Sequence, residues 1–190
     1  MDNVYNFLIE LDKLKSVYRR TYLTDLSRNE NSAEHSWHLA LALLTIRDEL
    51  AIDFNINRAI KMALVHDLGE IGAGDISVYD SQRFKKLDEE KEYVQQLSVY
   101  PINFTEEIKS LCAEYEAQQT KESLWVKVID RLLPFMMNLS TEGKAWIEQK
   151  VTASQVRLVH KVVDKQAPEV YQWMLSQIDK AILKGWLIDD

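Results

Sequence analysis

Apolar residues return every three to four positions near the N-terminus, at Val4, Phe7, Leu8, Leu11 and Leu14. That spacing places them on one helical face and predicts an amphipathic helix over about residues 2–17. Asn31-Ser-Ala-Glu34 has the form of a capping box, a short polar side chain followed three positions later by a carboxylate, and it opens a second helix. This helix carries His35, Trp37, Ala40, Leu41 and Leu44 and ends near Leu50. A third helix is expected after Asn57, running through Met62, Leu64, Val65 and His66 until Gly69 lets the chain leave it.

Glu70-Ile-Gly-Ala-Gly-Asp75 holds two more glycines and reads as a connecting loop; two glycines alone do not make a phosphate-binding motif. Ser81 to Leu97 is a charged, exposed helix, and Pro101 ends that region. Thr105 is placed to cap a helix reaching about Ala117, and Lys121 to Leu139 forms another, rich in Leu, Val, Ile and Met. Thr152-Ala-Ser-Gln155 is a second capping box, and Pro168 suits the first turn of a last helix that ends before Gly185. No repeat, low-complexity tract or linker interrupts this order. The expectation is an all-α, single-domain helical bundle over residues 1–190.

Composition supports a folded chain, with 46% hydrophobic and 28% charged residues. Only 5 glycines and 3 prolines are present, which favours long helices over many short strands. The net charge of −7 argues against a nucleic-acid polymer as partner, because such binding needs a basic surface that displaces counterions. A small anion can still be met by a local patch. Lys13, Lys15, Arg19, Arg20 and Arg28 form such a concentration, with a solvated helix face as the plainer reading. Cys112 is the single cysteine, which excludes an intramolecular disulfide and a thiolate metal cage. No signal peptide and no run of about 18 apolar residues is visible, so the cytoplasm is the expected address and no membrane is expected as partner.

Any metal must therefore be held by His and carboxylates. One of the 4 histidines is followed directly by Asp, in Val65-His66-Asp67. Alone, such a dipeptide is more often a hydrogen-bonded core pair. Its surroundings change the balance. Adjacent helical residues are about 100° apart, so both can reach a cation beside the helix end, and Glu70 follows at i+4 and i+3. His35, near the start of the second helix, is the natural second imidazole. Asp130 interrupts the largely apolar Trp125-Val-Lys-Val-Ile129, and burying it unpaired would cost several kcal/mol, so it belongs on a partner or a metal. Arg131 is adjacent but expected to point elsewhere. Pro134 removes the amide that would bond to the Asp130 carbonyl and is expected to bend the helix.

His35, then His66-Asp67, then Asp130 in Val-Ile-Asp-Arg resembles the H…HD…D signature of HD-domain phosphohydrolases. Leu14-Lys15-Ser-Val-Tyr-Arg19, Arg28-Asn-Glu-Asn-Ser-Ala-Glu-His35-Ser-Trp37 and Ala63-Leu-Val-His-Asp-Leu-Gly-Glu70-Ile-Gly-Ala-Gly-Asp75-Ile76 are similar to its 5′-deoxynucleotidase branch. The likeness runs from about residue 11 to residue 140. It implies hydrolysis of a nucleoside 5′-monophosphate, typically a deoxynucleotide, to nucleoside and phosphate. It also implies one divalent ion on His35, His66, Asp67 and Asp130, a transition metal such as Co, Mn, Fe, Ni or Zn, with Mg open as well. Glu70 and Asp75 match the two acidic residues of the family's active site, with the division into acid and base left open. Arg19 matches the phosphate-facing arginine. Arg20 stands where one branch has an aromatic sugar contact, whereas Tyr22 stands where another branch has an aromatic, three positions after the arginine; sugar preference stays open. Relatives resembling this chain are commonly homodimers, and its Trp and Tyr content suits an apolar interface.

Phosphodiester cleavage of cyclic nucleotides would need further His or Asp ligands for a second metal. Triphosphate hydrolysis could use the same ligands with a wider pocket. A non-catalytic nucleotide sensor would have no need of Glu70 and Asp75. Elsewhere, His38 and His160 read as structural or surface histidines, and Cys112 as a core residue. Trp125, Trp146 and Trp173 read as core or interface anchors, and Lys85-Lys86 as a solvated face.

Overall fold

Helix starts follow the local signals closely in the computed structural model, which describes residues 1–80 and 83–190. Asn31 and Glu34 make the reciprocal bonds of a capping box at the head of α2 (Ser32–Glu49), and Thr152 and Gln155 do the same for α9 (Ala153–Val159). Thr120 caps α7 (Lys121–Ser140), which runs through Pro134 as one helix. Pro168 opens α11 (Pro168–Leu183), where its missing N–H costs nothing.

Other boundaries differ from the expectation. The first helix, α1, ends at Asp12 and passes through a 3-10 turn, Lys13–Ser16, into extended backbone at Val17. Strand β1 (Tyr18–Tyr22) then pairs antiparallel with β2 (Asn29–Asn31), adding a two-stranded sheet to the expected all-helical fold. Tyr and Thr suit a half-buried pleated surface, and the side chains alternate, Thr21 buried while Tyr18 and Arg20 are exposed. Tyr18 faces Asn31 and Tyr22 faces Asn29, so the ladder shifts register around the arginines.

Helix α3 is Ile56–Val65, capped by Asn55 rather than beginning after Asn57. Glu70–Ala73 is a short helix, α4, not a loop. Gly69 keeps helical backbone; it is small because a Cβ there would stand 2.7 Å from Glu90 Cβ and 2.9 Å from Glu90 Cα. Gly74, at φ 75, is where the chain turns out of α4. Helix α5 is Arg83–Gln96; Ser81, Gln82 and the side chain of Lys85 lie outside the described residues. Lys86 is not merely solvated, since its Nζ donates to the Ala73 carbonyl at the end of α4. Helix α6 (Phe104–Ala117) begins before Thr105, whose hydroxyl donates back to the Ile102 carbonyl instead of capping.

Helices α2, α3, α6 and α7 pack on one another. Leu39, Leu43, Met62, Ile108, Leu111, Val126 and Ile129 fill the space between them, all fully or almost fully buried. Each such Leu or Ile contributes about 1.5–3 kcal/mol. The second half of α7 meets α10 (Lys161–Gln166), and α11 packs on α10 and α9. Phe135 lies against Trp146, His160 and Trp173, and Trp146 is fully buried beside the short helix start at Lys144 of α8 (Lys144–Gln149). This frame brings the first turn of α2, the end of α3, the middle of α7 and the β1 strand together.

Candidate metal centre and substrate cleft

His35 stands on the first turn of α2, wholly buried, with its ring held between two carboxylates. Its Nδ1 lies 3.6 Å from Glu30 Oε2 and its Nε2 lies 3.1 Å from Asp130 Oδ1. His66, at the end of α3, donates Nδ1–H to the Ala63 carbonyl at 2.9 Å. That bond assigns the proton to Nδ1 and leaves Nε2 as a lone-pair donor. Nε2 is buried without a hydrogen-bond partner among the described residues, and it faces Asp67 Oδ1 at 3.1 Å and Asp130 Oδ1 at 3.8 Å.

Two acceptors facing each other at 3.1 Å repel unless a cation lies between them. Ligands about 2.1 Å from a common ion stand roughly 3.0–3.4 Å apart across octahedral or tetrahedral angles. One donor atom each from His35, His66 and Asp130 lie within 4.8 Å of one another, all three residues buried. The mixed imidazole and carboxylate set fits a borderline divalent ion. Asp67 borders the cluster through Oδ1, while its Oδ2 accepts from Arg19 Nη1 at 2.9 Å.

Arg19 is the hub of the surrounding charge. Its Nη1 also lies 4.0 Å from Asp75 Oδ1, and its Nε lies 3.7 Å from Glu30 Oε2. Burial opposes ionisation of Asp67, but the Arg19 guanidinium beside it holds its pKa below the usual carboxylate value. The same holds more strongly for Asp130, where Arg131 and the hydrogen bond to His35 outweigh burial. Arg131 therefore does not point away as expected; its Nη1 comes within 3.9 Å of Asp130 Oδ2. Glu70 behaves oppositely. Burial and the neighbouring Asp67 charge push its pKa well above the ordinary range, despite Arg19 and a 2.6 Å hydrogen bond from the Ser32 hydroxyl.

Glu70 arrives by a turn, not by continuation of α3. The Glu70 amide donates to the Asp67 carbonyl at 3.0 Å, which wraps the chain around the His66–Asp67 corner. Arg19, His66, Asp67, Glu70, Asp75 and Asp130 then line one recess. Asp75 also lines a neighbouring cleft of about 760 Å³ with Arg20, Ser77, Tyr79, Lys86 and Gln149. That size accommodates a drug-sized or nucleotide-sized ligand. Tyr22 is brought not to the recess but to the outer rim, where its hydroxyl donates to Glu148 at 3.1 Å and Lys144 Nζ sits 4.4 Å from the ring centre. Of the basic cluster, Lys13, Lys15 and Arg28 are paired on the surface with Glu10, Asp12 and Glu34, while Arg19 and Arg20 face the cavities.

Four residues around the site escape a reading of the sequence. Glu30 bridges toward His35 and Arg19, Ser32 holds Glu70, and Tyr115 and Lys127 converge on Asp130. Glu30 lies in a three-residue strand too short for a periodic signal. Lys127 had one, its i,i+3 spacing to Asp130. His160 is a buried structural histidine, its Nδ1 2.7 Å from the Val156 carbonyl, and burial lowers its pKa to about 4. Cys112 packs against the core from a half-buried position, with Sγ 3.3 Å from the Val65 carbonyl.

Known proteins resemble this chain over much of its length. The 5′-deoxynucleotidase HDDC2 of Danio rerio is 33% identical over 135 residues, covering 70% of this chain and 66% of that protein. The bovine HDDC2 is 32% identical over 132 residues, and the match covers 63% of it, so the chain spans just under two thirds of these relatives. The 5′-deoxynucleotidase hdd1 of Schizosaccharomyces pombe is 26% identical over 98% of this chain and 88% of its own. A solved structure of a predicted metal-dependent phosphohydrolase from Magnetospirillum magnetotacticum superposes with a TM-score of 0.90 and 32% identity, covering 98% of this chain and 95% of that one. The HD domain family model matches residues 11–171, most of the length of this protein, and the chain therefore belongs to the HD domain family.

Proposed function

We propose that this protein is a metal-dependent phosphohydrolase that releases phosphate from nucleoside 5′-monophosphates, deoxynucleotides foremost. The observation that carries the reading is the facing of His66 Nε2 and Asp67 Oδ1, two acceptors 3.1 Å apart, in a recess also lined by Asp130 that shares Asp75 with a nucleotide-sized cleft, with His35 buried behind Asp130. His35, His66, Asp67 and Asp130 hold one divalent ion, a transition metal or Mg. When bound, the ion supplies positive charge for phosphate oxygens and lowers the pKa of water. Arg19 takes phosphate oxygens with its planar fork, exchanging part of its present bonding to Asp67 and Asp75. Glu70, oriented by Ser32, and Asp75, at the junction of recess and cleft, move protons at the nucleophile and the leaving oxygen. Tyr22 and Arg20 contact the nucleoside side of the substrate from β1. The names of the HDDC2 and hdd1 relatives support this substrate class.

The test is phosphate release by metal-reconstituted protein from a panel of ribo- and deoxynucleoside mono-, di- and triphosphates. Turnover of monophosphates in preference to the others is expected. The width of the cleft favours a second reading, triphosphate hydrolysis, and preferential release from triphosphates would replace the first. No turnover of any nucleotide would leave the sensor reading in place of both.

The chain acts as a single domain and a homodimer in the cytoplasm. Among the described residues no helix is long and apolar enough to cross a membrane. Trp37, 61% exposed, with Leu41 and Leu44 forms an apolar stripe at i, i+4 and i+7 on α2, which supports a subunit contact. A monomer in sedimentation at micromolar concentration would refute the dimer.

A further inference from the structure

Asp130 has two carboxylate oxygens with different surroundings. Oδ1 faces His35 Nε2 at 3.1 Å and His66 Nε2 at 3.8 Å. Oδ2 accepts a 2.7 Å hydrogen bond from the Tyr115 hydroxyl on α6. Lys127 Nζ, one turn before Asp130 on α7, donates to that same hydroxyl at 2.7 Å and lies 3.6 Å from Oδ2. An ammonium only donates and a carboxylate only accepts, so the hydroxyl between them has one possible direction: it accepts from Lys127 and gives its proton to Asp130. Tyr115, Lys127 and Asp130 are all buried, and the Tyr115 ring packs edge-on against His66, with its centroid 5.0 Å away.

We propose that Tyr115 and Lys127 are positioning residues that occupy Asp130 Oδ2, so that Asp130 offers the metal Oδ1 alone. The inference rests on the reading of Asp130 as a metal ligand. A carboxylate free to rotate could give both oxygens to the ion and take a site that water or phosphate needs. Hydrogen bonds from behind a ligand fix its orientation, and their loss typically weakens metal binding 10–100-fold. The relay also explains why an ammonium group is kept inside an otherwise apolar stretch of α7: it locks the hydroxyl in the direction that serves Asp130.

The experiment measures Co²⁺ binding to the full chain by titration and by its visible absorption spectrum. Tyr115→Phe keeps the ring against His66 and removes only the hydroxyl. A 10–100-fold weaker Co²⁺ affinity is expected, with an altered spectrum from a changed coordination number. The double variant Tyr115→Phe/Lys127→Met removes both polar ends together and is read in place of the single one should losing the Tyr115 hydroxyl beside the buried Lys127 ammonium unfold the protein. It is expected to show the same loss of affinity. Lower thermal stability with unchanged Co²⁺ affinity and spectrum in the variant that folds would overturn the proposal and leave a packing role only. Asp130→Asn separates the two readings. If it abolishes Co²⁺ binding while the Tyr115 variants do not weaken it, the relay alone is wrong; if it binds Co²⁺ as tightly as the parent, Asp130 is not a ligand and both fall.

Discussion

Replacing Glu70 by Gln separates proton transfer from metal binding. The residue is 8% exposed, and its Oε2 accepts from Ser32 Oγ at 2.6 Å, a bond the Gln amide oxygen can keep. Glu70 is not one of the four residues proposed to hold the ion and its Oε2 is engaged by Ser32, so metal content should stay near the parent value. Turnover should fall about 10²–10⁴-fold, the usual contribution of a positioned acid or base, equivalent to about 3–5 kcal/mol in the barrier. Stability should move the other way. Burial and Asp67 raise the folded-state pKa of Glu70 above its unfolded value, so the folded protein binds the proton more tightly than the unfolded chain does. That contribution is fully present below about pH 4.5 and is lost as pH rises through the raised pKa. Metal-free Glu70→Gln, which never ionises there, should therefore melt above the parent at neutral and alkaline pH, with the difference closing toward pH 4. Phosphate release, elemental analysis of the purified variant and thermal unfolding across pH provide the three readings. Near-native turnover would refute the proton-transfer role. Loss of metal would place Glu70 in the coordination sphere.

Asp67→Ala should lose metal and activity together, as measured by elemental analysis and phosphate release, because it removes an acceptor facing His66 and the hydrogen-bond acceptor of Arg19 Nη1. Gly69→Ala should lower stability by about 1–3 kcal/mol in denaturant unfolding, since the added methyl meets the α5 backbone at Glu90 and neither element yields cheaply. His160 should stay neutral in an NMR titration down to about pH 4. Its folded pKa lies below the unfolded value near 6.5, so its contribution is present above about pH 6.5 and fades as pH falls toward 4, by about 3 kcal/mol in total. His160→Gln should flatten that acid limb of the stability profile.

Most helices, two capping boxes and the candidate ligands His35, His66, Asp67 and Asp130 are legible in the residues themselves. The reason is local: a 3.6-residue period and a cap three residues before its partner are decided within one or two turns. Strand β1 was not legible, because the pattern of residues 2–17 runs smoothly toward it and its partner is the three-residue β2, whose pairing is settled across the chain. The turn at Gly69 and the short helix α4 depend on how closely α5 approaches, a contact with no mark in the sequence. Tertiary packing alone decided the use of each side chain. It brings Asp130 to His35 across 95 residues, turns Arg19 on the short hairpin toward Asp67 and gives one oxygen of Asp130 to Tyr115. Periodicity names the face on which a side chain lies, but the direction of a hydrogen bond or a ligand atom is set by neighbours that only folding supplies.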